Sequence, residues 1–135
     1  MATLNKFNSF VEALAEKKHN LGSDQLVVAL TNTLPTAANT VLVDITEIDY
    51  TNLSSRNITT TSSAQTAGTY KLVLEDLVLT ASGAVGPFQY IVIYNDTATN
   101  DELIGWADYG SSISLASGET FTIDFDGSLG ALTLT

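Results

Sequence analysis

The sequence predicts a mainly β chain, a jelly-roll or immunoglobulin-like β-sandwich of about eight short strands with one N-terminal amphipathic helix. Three observations carry that expectation. Downstream of Gly22 the apolar residues recur with period two in segments rich in Val, Ile, Thr, Tyr and Phe, the spacing that sets alternate side chains on opposite faces of a strand. Gly, Asn, Asp and Ser interrupt these segments at short intervals, as turns between strands do. Only near the N-terminus does the period change to that of a helix. A chain of 135 residues with 44% hydrophobic content holds one core, so 1–135 reads as a single domain with a helix over 5–18 and a β-sandwich over 23–135.

In the helical segment Phe7, Phe10, Val11, Leu14 and Ala15 follow the i, i+3, i+4, i+7, i+8 spacing of one helical stripe. Asn5 is the expected N-cap. Lys17, Lys18 and His19 fall where positive charge favours a helix C-terminus, with Asn20 and Gly22 as stop signals. Leu26, Val28 and Leu30 open the first strand, which Pro35 ends. Residues 36–68 are rich in Thr, Ser, Ala and Asn, and only Val41–Ile48 and Asn57–Thr61 read there as short strands. Tyr70, Leu72 and Leu74 share one parity and Leu77 and Leu79 the other, so the chain must bulge or change sheets around Glu75 and Asp76.

From Phe88 to Asn95 both parities are substantially apolar, which marks a central or an interface strand. The segment Leu103–Tyr109 should pair with it, Gly105 marking a close backbone approach. Phe121, Ile123 and Phe125 alternate with Thr120, Thr122, Asp124 and Asp126, a strand with one buried and one wet face. A turn at Asp126 and Gly127 should close a final hairpin with Ala131–Thr135, Leu132 and Leu134 facing inward.

Composition narrows the chemistry. There is no cysteine, so no disulfide framework, thiolate nucleophile or cysteine-based zinc site is expected. No run approaches the roughly 18 to 20 apolar residues of a membrane span, and the start lacks a secretory signal pattern, so a protein made in the cytosol is expected. Residues 1–18 carry Lys6, Lys17 and Lys18 against Glu12 and Glu16, whereas the rest carries Arg56 and Lys71 against 13 acidic groups, a net charge of −11 there. Such a body repels phosphate backbones, so direct nucleic-acid binding is not expected. It also stays soluble when crowded on a surface.

The single histidine, His19, is read as part of the helix end rather than as a general base. No Gly-x-Ser-x-Gly elbow, phosphate loop or dinucleotide fingerprint is present. Glu75–Asp76 and Asp101–Glu102 are adjacent acids that point to opposite faces of a strand, and Asp124 and Asp126 share a wet face. These acids are read as solvated, with no cofactor or metal expected. A calcium ion held by Asp124, Asp126 and the 96–102 loop is the lesser reading, since the EF-hand spacing is missing. Phe88, Tyr90, Tyr94, Trp106 and Tyr109 read as core or subunit interface, with a sugar-stacking platform as the alternative.

The segments Asn5-Lys6-Phe7-Asn8-Ser9-Phe10-Val11, His19-Asn20-Leu21 and Leu26-Val27-Val28-Ala29-Leu30-Thr31-Asn32 resemble small head-surface proteins of tailed bacteriophages. So do Tyr90-Ile91-Val92-Ile93-Tyr94-Asn95-Asp96-Thr97, Leu103-Ile104-Gly105-Trp106, Asp108-Tyr109-Gly110-Ser111, Gly118-Glu119-Thr120-Phe121 and Asp124-Phe125. The resemblance covers most of the chain. It departs after Asp44–Ile48, where residues 49–57 replace a Gly-rich segment with Tyr, Asn, Ser and Arg.

The resemblance implies a capsid decoration, or cement, protein on the outer surface of the phage head. Such a protein is not an enzyme; it binds the major capsid protein and itself, as a homotrimer or a homodimer, and stabilises the shell by bridging capsomers. A tail, neck or receptor-recognition module is the alternative, and a lectin-like domain a distant one. The candidate interface residues are Phe7, Phe10, Val11, Leu14, Lys17 and Lys18 of the near-neutral arm, with Phe88, Tyr90, Tyr94 and Trp106 of the β body. The arm's apolar stripe could equally cap the sandwich of its own subunit.

Overall fold

The chain segments most apolar on both parities lie side by side in the structure. The computed structural model describes residues 3–135 and is mainly β, with 46% strand and 8% helix. Its elements in chain order are β1 (Asn5–Lys6), α1 (Asn8–Ala15), β2 (Leu26–Thr31), a 3-10 turn (Leu42–Asp44), β3 (Thr60–Thr66), β4 (Thr69–Leu74), β5 (Leu77–Thr80), β6 (Val85–Asn95), β7 (Leu103–Leu115), β8 (Thr120–Ile123) and β9 (Leu132–Leu134). They form three antiparallel sheets, ordered β1-β7-β6-β2, β3-β4-β9 and β5-β8.

Strand β6 is central in the largest sheet, paired with β2 (Val28 opposite Ile93) and with β7 (Val92 opposite Trp106). One face supplies Val28, Leu30, Ile91 and Ile93 to the main core, where they meet Leu72 and Leu74 of β4, Leu79 of β5, Ile123 of β8 and Phe10 of α1. The opposite face supplies Val27, Ala29, Val92, Tyr94 and Leu103 to a second core, closed by Phe7 and Ile45 with Leu42 and Trp106 against it. Alternation along each strand is what divides the residues between the two cores.

The parity change between Leu74 and Leu77 is a change of sheet: β4 belongs to the three-stranded sheet and β5 to the two-stranded one. Asp76 holds the bend, its Oδ1 accepting from the Phe125 amide at 2.9 Å. Gly105 is the close approach expected of it. A Cβ there would lie 2.9 Å from the Asn5 carbonyl oxygen, because β1 pairs with β7 at that residue.

Several expectations are corrected. The helix is shorter than 5–18, and Asn5 is not its cap but a strand residue opposite Trp106. Phe7 occupies the cap position without a side-chain hydrogen bond. The stop comes at Lys17, whose positive φ of 69° lets its amide reach the Leu14 carbonyl and the Lys18 amide reach the Ala13 carbonyl. That pair is a Schellman motif built on lysine rather than glycine.

Residues 41–48 form no strand. Asp44 Oδ2 accepts from the Thr40 and Val41 amides, closing a 3-10 turn that drops Leu42 and Ile45 onto the second core. Downstream, β3 and β4 make a hairpin that the 36–68 reading lacked. Its turn residues Ala67 and Gly68 both have positive φ, the type I′ pattern usually signalled by Asn-Gly. The closing hairpin is also corrected. Asp126 turns the chain by accepting from the Ser128 and Leu129 amides, and β9 then pairs with β4 while β8 pairs with β5. Leu134 consequently ends 37% exposed rather than inward.

An L-residue in the left-handed region costs roughly 1–2 kcal/mol relative to glycine. Lys17→Gly and Ala67→Gly are therefore each expected to raise unfolding free energy by about 1 kcal/mol in denaturant titration. Gly105→Ala should lower it, because the clashing atom is backbone; an unchanged midpoint would show that β1 is not held against β7.

Candidate interaction surface

The ten candidate interface residues divide by burial. Phe7, Phe10 and Phe88 are at most 3% exposed and Tyr94 is 5% exposed, so these four side chains belong to the cores of their own subunit. Leu14, Tyr90 and Trp106 are half-buried, Trp106 with its ring centroid 4.8 Å from that of Phe7. Val11, Lys17 and Lys18 are exposed, Val11 to 51%. The helix therefore turns Phe10 and Ala13 inward and leaves Val11, Glu12 and Ala15 outward, with Glu16, Lys17 and Lys18 exposed in the turn that follows it and Lys6 exposed on β1. A groove of about 320 Å³ runs between Val11 and β9, lined by Leu4, Lys6, Val11, Ile104, Leu132 and Leu134.

The five aromatics do not assemble into the sugar-stacking platform of the alternative reading. Tyr94 and Trp106 face the second core, whereas Phe88 faces the first. Phe88 meets Phe121 edge-on, and Phe121 in turn meets Tyr109, each pair of centroids 5.3 Å apart. Tyr109 reaches that position because β7 bulges there, Asp108 pairing with Tyr90 and Ile113 with Phe88. A cavity of about 320 Å³ between Tyr109, Phe121 and Ile91 has Asp108 and Asp124 at its rim.

Many of the carboxylates are engaged by the fold. Asp24, Asp44, Asp49, Asp76, Asp108 and Asp126 each accept from at least one backbone amide. Hydrogen bonds from the Thr40 and Val41 amides hold the Asp44 carboxyl below its usual range, and those from the Leu129 and Ser128 amides do the same for Asp126. Burial raises Asp101, with the charges of Asp96 and Glu102 adding to it. Among the described residues no group of three His, Asp or Glu converges as metal donors.

Two polar clusters were not legible in the sequence. The 49–57 segment, where the resemblance breaks off, is clipped to the outer edge of β2. Tyr50 Oη accepts from the Leu30 amide at 2.9 Å and donates to Glu47 at 2.7 Å. Arg56 lies 3.6 Å from the Tyr50 ring centroid and donates to the Val28 carbonyl. Burial drives the Tyr50 hydroxyl pKa upward, so Tyr50 remains a neutral donor.

The second cluster surrounds His19, which is 5% exposed and pairs with the fully buried Asn95 instead of capping the helix at its surface. Asn95 also donates to Asp24 at 2.7 Å and accepts from the Thr97 and Ala98 amides. The partners are 76 residues apart in the chain, and no local pattern links them. A polar Asn closing an otherwise apolar strand was the available signal.

The chain matches no family model, no curated protein and no solved structure.

Replacing one face of the arm should separate its two roles. Phe10→Ala is expected to cost about 3–5 kcal/mol of stability, as for other buried aromatic truncations, while Val11→Ser should stay within about 0.5 kcal/mol. Equal costs in thermal or chemical unfolding would contradict the assigned helix orientation.

Proposed function

We propose that the chain is a virion structural protein, a cement or decoration protein that binds the outer surface of a phage head and stabilises it by bridging capsomers. The observation that carries the reading is the N-terminal arm, whose exposed Lys6, Val11, Lys17 and Lys18, with Glu12 and Glu16, leave it near neutral on a body whose remaining charge is strongly negative. It is a near-neutral and partly apolar contact region on a protein otherwise arranged for solubility. The sequence resemblance to small head-surface proteins points the same way. Packing of the largest sheet against the two smaller ones through one core supports the jelly-roll or immunoglobulin-like sandwich that the side-chain periodicity predicts.

The partners on this reading are the major capsid protein and further copies of the chain, as a homotrimer or a homodimer. No catalysis is involved. A clamp that binds the assembled lattice but not its dissociated parts stabilises the lattice by mass action, and many copies add avidity. The arm acts through its exposed lysines and Val11, while Phe7 and Phe10 support it from inside.

Capsid binding is the direct test. Purified chain added to expanded, undecorated heads should co-sediment at a copy number comparable to that of the capsid protein. The triple variant Lys6→Glu, Lys17→Glu, Lys18→Glu should bind at least about tenfold more weakly while keeping its fold, since exposed charge contacts are worth up to about 1 kcal/mol each. Removal of residues 1–20 is expected to unfold the chain, so it does not discriminate. Recovery of the chain only from tails, or full binding by the triple variant, would sink the reading.

A further inference from the structure

His19 sits where the end of the α1 segment meets the ends of β6 and β7, and its hydrogen bonds determine which nitrogen carries the proton. Backbone amides can only donate, so the atom of Asn95 that faces the Thr97 and Ala98 amides at 3.0 and 3.2 Å is its carbonyl oxygen. The Asn95 side-chain nitrogen therefore faces Asp24 Oδ2 at 2.7 Å and His19 Nδ1 at 3.0 Å. Its two hydrogens serve these two acceptors. His19 Nδ1 must present its lone pair, which leaves the ring neutral with its proton on Nε2. That Nε2 is buried and has no hydrogen-bond partner among the described residues.

We infer that His19 is an acid-sensitive latch, fastening the C-terminal end of the α1 segment to β6 when neutral and releasing it when protonated. A proton on Nδ1 would set two donors against each other at the present 3.0 Å contact. Asn95 cannot turn over to offer its oxygen, because doing so would abandon two backbone amides and aim that oxygen at the Asp24 carboxylate. The ring must instead leave its place beside Phe10, whose centroid is 5.4 Å away.

The charged groups around the ring do not reverse this. Burial lowers the His19 pKa from 6.5 as the leading effect; the carboxylates of Glu102 and Asp24 oppose it, and Lys18 adds to it. With a folded-state value below the unfolded one, the unfolded chain binds the proton more tightly. The contribution of His19 is therefore intact above 6.5 and declines as pH falls through 6.5 toward the folded value. The lowered carboxyls Asp44, Asp49 and Asp126 lose their contribution only below the usual carboxylate value of 3.8. Asp101, which is raised, acts in the opposite direction, favouring the fold as it protonates.

The tautomer is read directly by nitrogen–proton correlation NMR of the His19 ring at pH 7.5. Protonation at Nε2 alone is expected, and a proton on Nδ1 would overturn the inference. Hydrogen exchange, corrected for its intrinsic pH dependence, should then show residues 8–18 opening more readily by up to about tenfold per pH unit below 6.5, the limit for one proton. Strand β6 should stay protected.

In His19→Gln the side-chain carbonyl can accept from Asn95 and does not titrate, so the pH dependence of residues 8–18 should disappear. Retention of the dependence in that variant would refute the latch. Should the variant fail to fold, the wild-type comparison still decides: joint loss of protection in α1 and β6 between pH 7.5 and 5.5 would rule out local release.

Discussion

Burial of β6 on both faces is the constraint on which the rest of this structure depends. With Ile91 and Ile93 on one side and Val92 and Tyr94 on the other, a single covering layer would leave one apolar face in water. At about 25 cal/mol per Å² of apolar surface, either exposure would be costly. Different chain segments answer the two demands. The smaller sheets cover one face through Leu72, Leu74, Leu79 and Ile123. Phe7 and the turn around Leu42–Ile45 cover the other.

This two-sided demand explains why the N-terminal arm is not a free tether. Phe7 and Phe10 are three residues apart, yet they serve different cores, because the chain changes from strand to helix between them. Pairing of Asn5 and Lys6 with β7 at Gly105 fixes the entry, and the glycine removes the side chain that would prevent it. Once both phenylalanines are committed inward, Val11, the lysines and the intervening Glu12 and Glu16 are left to meet what lies outside. An interaction surface and a core element thus occupy opposite sides of the same few residues.

Polar side chains secure the joints between the packed layers. Asp44, Asp76 and Asp126 each hold a bend by accepting backbone amides. Tyr50 and Arg56 tie the 49–57 segment to β2, and Asn95 gathers His19, Asp24 and the 97–98 backbone. Buried polar groups are tolerable only when partnered, and Asn95 meets that condition fully. His19 meets it on one nitrogen, which is why protonation is felt there.

By itself the sequence determined the β-rich class, a strand after Phe88 apolar on both faces, a break in parity between Leu74 and Leu77 and the close approach at Gly105. Each follows from side-chain parity or backbone bulk, which are local properties. Tertiary structure decided which strand pairs with the final segment, where the helix stops and which arm residues remain outside. Lys17 and Ala67 adopt left-handed conformations that their residue types disfavour, so residue type carried no signal for either turn. The His19–Asn95 pair joins positions 76 residues apart, and only the folded chain brings them within hydrogen-bonding reach.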